Sequence, residues 1–208
     1  MPEATVMTTR ADPPGWFGKL PSLGDFASRR LPEVFVGRWD RWLQHGLVAA
    51  RAQLGDGWLD VYLVAPILRF WVAPGALGDE AWAGLMMPSV DRVGRHFPLT
   101  IARPLQPLAA ALAAHDWYVA LDGTARRVLD VEFTVEHFEA ALEALDGAVP
   151  AAADPPALAL AARLLPDGGG PAACSLWWCG DAAEESEFRA FDGLPPDAAF
   201  ASLLGAAS

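Results

Sequence analysis

Between Pro32 and Gly55, apolar residues recur at Phe35, Trp39, Trp42, Leu43, Gly46, Leu47, Ala50 and Leu54. That three-and-four spacing draws one face of a long helix. Pro32 suits a first helical turn, where its missing N–H costs nothing, and Gly55 with Gly57 stops the run. Arg38, Arg41, Gln44 and Arg51 lie mostly off the stripe and are predicted to face water. A face this wide and this aromatic has to be buried, so the rest of the chain must supply a layer to cover it.

Strands are the natural cover. Gly15 to Leu20 reads as a short strand ended by Pro21, with Ser22, Gly24 and Asp25 supplying turn chemistry before Phe26. Ile67 to Ala73, Ala81 to Pro88, Phe97 to Arg103 and Ser175 to Cys179 are further strands, and Phe188 to Phe191 is a weaker one. Besides the long helix, helical segments are predicted at Trp58 to Ala65, Leu108 to Ala114 and Trp117 to Leu129. Others follow at Val135 to Leu145, with Thr134 as N-cap, at Ala157 to Leu165 and at Asp197 to Leu204. The helices are grouped and do not alternate with strands, which gives an α+β fold whose mostly antiparallel sheet is packed with helices.

The chain has 208 residues, 53% of them hydrophobic and 20% charged, enough to bury one substantial core, so residues 1–208 are read as a single domain. Its 15 basic and 26 acidic side chains give a net charge of −11, which argues against nucleic acid or anionic lipid as bulk electrostatic partners. Residues 1–105 carry 11 basic and 10 acidic groups, whereas residues 106–208 carry 4 and 16. The motif-rich core spans 14–105; the second half is helical and acidic, with a Pro, Gly and Ala connector near 146–173. Cys174 and Cys179 lie five residues apart, on opposite faces of a strand, so no disulfide is expected between them. The amino terminus lacks an apolar signal region, and in the most membrane-like window, 61–78, Arg69, Pro66 and Pro74 interrupt any span. A cytoplasmic location without membrane insertion is expected.

No motif makes a convincing catalytic or ligand site. Gly15 to Lys19 has glycines and a lysine, but Pro13 and Leu20 break the phosphate-loop pattern. His45, His96, His115 and His137 have no metal-ligand spacing, and the Asp167 to Gly170 run reads as a turn. No cofactor and no metal are expected. Lys19 with Ser22 is conceivable as a Ser-Lys nucleophile pair, but the serine is better explained by its turn. Ser89 to Phe97, SVDRVGRHF, is charge-dense within an apolar region and is bracketed by Pro88 and Pro98. Asp91 and Arg95 share one side of it, as an internal ion pair, while Arg92 points elsewhere.

WFGKLPSLGDF at Trp16 to Phe26, WDRWLQHGL at Trp39 to Leu47, LRFWVAPG at Leu68 to Gly75 and MPSVDRVGRHFPL at Met87 to Leu99 together resemble the TagF (ImpM) family. The resemblance covers about residues 14–105; the remainder matches only loosely. It implies a longin-like α/β/α fold and a cytoplasmic, non-enzymatic accessory protein of a bacterial type VI secretion system. Such a protein restrains assembly or firing of the apparatus after translation, by protein–protein contact. The implied partner is the system's forkhead-associated (Fha) scaffold protein, with membrane-core components as further partners. The two polar motifs are expected to meet at one edge or end of the sheet. There Asp25, Asp91 and Arg95 form a structural network, and Arg92, Lys19 and Ser22 are the candidate partner contacts. The alternatives are a hydrolase using Ser22 or Ser89, and a structural component of the apparatus.

Overall fold

The computed structural model describes residues 12–145, 153–165, 174–180 and 188–205. Seven strands form one antiparallel sheet: β1 (Gly15–Gly18), β2 (Ala27–Arg29), β3 (Leu68–Val72), β4 (Trp82–Met87), β5 (Leu99–Pro104), β6 (Cys174–Trp178) and β7 (Arg189–Asp192). Their order is β2-β1-β5-β4-β3-β6-β7, and every pair is antiparallel. The helices are α1 (Glu33–Leu54), α2 (Trp58–Leu63), α3 (Leu108–Ala113), α4 (His115–Arg127), α5 (Val135–Glu143), α6 (Pro155–Leu164) and α7 (Phe200–Leu203).

The sheet is buried on both faces, and the side-chain alternation of its strands sorts residues into two cores. On β3, Leu68, Phe70 and Val72 meet the first core, with Phe35, Trp39, Trp42, Leu43 and Leu47 of α1, Tyr62 of α2 and Phe200 of α7. Trp71 of the same strand meets the second core, with Leu112 of α3, Trp117 and Leu121 of α4, Phe138 of α5 and Leu160 of α6. The result is an α/β/α arrangement of three layers, as the resemblance implies. Trp39, with no exposed surface, centres the first core. Its ring stacks on Trp177 at 5.8 Å, and its indole N–H donates to Thr100 Oγ1 at 2.8 Å.

Several expectations need correction. β1 ends at Gly18, two residues early, because φ there is +137° and a Cβ would stand 2.2 Å from the Pro98 carbonyl oxygen. Only glycine allows the strand to turn against that backbone. β2 was not foreseen: ASR has no hydrophobic alternation, and the strand exists by pairing Trp16 with Arg29 and Phe17 with Ser28. α6 starts at Pro155, ahead of the predicted Ala157, since Asp154 caps it by accepting the Ala157 N–H at 2.9 Å. The rest of the predicted connector, 146–152 and 166–173, lies outside the described residues. Cys174 and Cys179 are both free thiols.

Candidate functional site: a polar knot beneath an exposed loop

Gly18 turns the chain out of β1 beside Pro98, and this brings the segment 19–26 against the loop between β4 and β5. The two polar motifs therefore meet at one end of the sheet. Lys19 Nζ donates to Asp91 Oδ2 at 2.8 Å, with both side chains buried. Arg95 Nε donates to the same oxygen at 2.7 Å. Asp91 Oδ1 accepts the backbone N–H groups of Val93 at 3.0 Å and Arg95 at 2.9 Å. One carboxylate thus closes the loop 91–95 and ties it to the end of β1.

Several polar groups around that carboxylate are paired. Ser89 Oγ donates to the Lys19 carbonyl at 2.7 Å, and Tyr62 OH both donates to the Ser89 carbonyl and accepts the Ser89 N–H. The Arg92 N–H donates to the Leu23 carbonyl at 2.9 Å, and Arg95 Nη2 to the Gly24 carbonyl. His96 sits edge-on to Tyr62 and Trp58. Burial by itself would push the Asp91 carboxyl up, but hydrogen bonds from Lys19, from the Arg95 backbone and side chain, and from Val93 outweigh it. They hold the group well below the usual carboxylate range. Burial raises the Tyr62 hydroxyl above its ordinary value, so it works here as a neutral donor and acceptor.

The predicted residues divide cleanly. Asp91 and Arg95 form the internal pair. Asp25 has an exposed side chain that accepts the Phe26 N–H at 2.9 Å and reaches Arg95 Nη2 only at 3.9 Å, so it sits at the rim. Arg92 is exposed. Lys19, expected as a partner contact, is instead 4% exposed and belongs to the knot, because only burial places its ammonium on Asp91. Ser22 also departs from expectation: its hydroxyl oxygen is shielded from solvent and has no hydrogen-bond partner, so it supports neither a turn nor an outside contact.

Sequence reading missed Tyr62, whose four-residue spacing from Trp58 on α2 was the available signal. It also missed Phe26 and Val93, which are 46% and 66% exposed. The inner side of Phe26 packs edge-to-face on Phe97 at 4.7 Å, with Lys19 Nζ 4.8 Å from its centroid.

The Ser-Lys arrangement is not assembled. Lys19 Nζ is engaged by Asp91, and the Ser89 hydroxyl is spent on a carbonyl. A cavity of about 610 Å³ lies at the far end of β1 and β5, lined by Arg30, Trp82, Arg103 and Pro104 among others, away from both serines. Among the described residues no group of His, Cys, Asp and Glu could hold a metal ion, and no helix is long and apolar enough to cross a membrane.

An antiparallel sheet between two helical layers, with Lys19, Ser89 and Asp91 buried together at one end of it, defines an α+β protein. The chain belongs to the TagF family of type VI secretion system-associated proteins, whose N-terminal domain model matches residues 15–145. It is also similar to the crystal structure of PA0076 from Pseudomonas aeruginosa PAO1. The two are 37% identical with a TM-score of 0.77, over 94% of this chain and 96% of that one. No curated protein matches the chain.

Proposed function

We propose that this protein is a cytoplasmic, post-translational negative regulator of type VI secretion that acts by binding and not by catalysis. Its partner in this reading is the Fha scaffold, and through it, or beside it, membrane-core components of the apparatus. Family membership supplies the secretion system. The observation that carries the binding role is the loop 91–95: its backbone is fixed from within by one buried carboxylate, while Arg92 and Val93 stand in solvent. A loop already ordered loses little conformational freedom when a partner docks, so its affinity is not spent on ordering.

The reading is tested by deleting the gene in its host and complementing with wild type or Arg92→Ala. Deletion is expected to raise secretion, wild type to restore repression, and Arg92→Ala to restore the protein level but not the repression. Unchanged secretion on deletion would overturn the regulatory role. Constant, stoichiometric recovery with the purified apparatus would mark a structural component instead.

A further inference from the structure

We infer that the tip formed by Phe26, Arg92 and Val93, with Arg95 at its rim, is built to take an acidic protein segment carrying an apolar side chain. This inference rests on the reading above that the loop is a partner surface. Its first support is charge. Among the described residues, the carboxylates that pair with Lys19 and Arg95 are Asp91, which both of them share, and Asp25, which lies 3.9 Å from Arg95. Among the described residues no carboxylate pairs with Arg92, so the tip presents an uncompensated guanidinium on a chain whose net charge is −11. A guanidinium offers a carboxylate two parallel donors, a geometry that an ammonium does not match.

Phe26 supplies the second support. Its ring already has the Lys19 ammonium 4.8 Å from its centroid and Phe97 against it, yet 46% of the residue remains in solvent. Phe17 also stacks on the ring, at 6.1 Å, and the part of the residue left in solvent is aromatic surface suited to an apolar side chain of a partner. Val93, 66% exposed, adds aliphatic surface beside Arg92.

Two binding measurements on the full-length chain test this. In the first, purified Fha scaffold from the same system is titrated onto wild type, Arg92→Glu, Arg92→Lys, Phe26→Ser and the control Arg163→Glu on the exposed side of α6. Roughly tenfold or greater weakening is expected for Arg92→Glu and for Phe26→Ser, a smaller loss for Arg92→Lys, and none for Arg163→Glu. Wild-type affinity is expected to fall on raising salt, and that of Arg92→Glu to fall less. In the second, poly-L-glutamate is titrated onto wild type and Arg92→Glu, with tighter binding to wild type expected. Circular dichroism melts show that each variant is folded.

If the scaffold binds wild type and both tip variants equally, the tip is overturned and the partner reading stands. If the scaffold binds none of them, the Fha reading fails, and the poly-L-glutamate arm decides the tip by itself: equal binding to wild type and Arg92→Glu overturns it. Arg92-dependent binding to phosphatidylserine vesicles with no such dependence for either protein probe would assign the tip to a membrane surface and overturn the inference as well.

Discussion

Asp91 shows how much one residue can be asked to do. Its two oxygens receive a buried lysine, an arginine and two backbone N–H groups, and each bond favours the ionised form. Its folded pKa is depressed, so the stability it contributes is fully present above the ordinary carboxyl value of about 3.9 and is lost as pH falls below it. Asp91→Asn should therefore lower the melting temperature at pH 7, with the gap to wild type narrowing as pH falls below about 3.9, where the carboxyl of the unfolded chain takes up a proton that the folded one resists. Thermal melts across that range check this, and a constant gap would mean the charge of Asp91 is not what holds the loop. Arg92, one residue along, spends only its backbone on the fold. Arg92→Ala should leave unfolding free energy within about 0.5 kcal/mol of wild type in urea titration.

Among the elements, α1 carries the first core. Trp39 touches Phe35, Trp42, Phe70 and Trp177, so truncating it opens a large void in a rigid aromatic cluster. Trp39→Ala should cost roughly 3 to 5 kcal/mol in chemical denaturation. Gly46 on the same helix makes the opposite case. A Cβ there would lie 2.1 Å from the Phe200 ring, which is fully buried and has nowhere to move. Alanine is the better helix former, yet Gly46→Ala should destabilise by about 1 to 3 kcal/mol through overpacking against α7. A stabilised variant would show that α7 is free to shift.

At the scale of the whole molecule, the boundary of the matched family domain is not a boundary of the fold. Residues 15–145 leave out β6, which pairs with β3 from Arg69↔Trp178 to Val72↔Ser175. They also leave out Trp177, buried against Trp39, Trp42 and Phe70, and Phe200 beneath α1. A chain truncated after Leu145 would expose the edge of β3 and the indole of Trp39 together. It should lack a cooperative thermal transition and bind a hydrophobic dye, whereas the full chain melts in one step; a cooperative melt of the truncated chain would show that the matched segment folds alone.

Local patterns determined much of this protein. The stripe of α1, the alternation of β3 and the turn chemistry at either end are properties of neighbouring residues, and spacing alone reports which face is buried. The pairing of Asp91 with Arg95 was legible for the same reason, since four residues separate them. The burial of Lys19 was not: it stands 72 positions from Asp91 in the chain, and only the register of β1 on β5, with Gly18 pressed on Pro98, closes that distance. β2 and the exposure of Phe26 were hidden in the same way, because ASR becomes a strand only when β1 lends it hydrogen bonds and a phenylalanine reads as core until packing leaves half of it outside. Sequence fixes what a residue prefers among its neighbours, while the choice between a lysine for a partner and a lysine for the interior depends on which distant carboxylate the folded sheet brings within 2.8 Å.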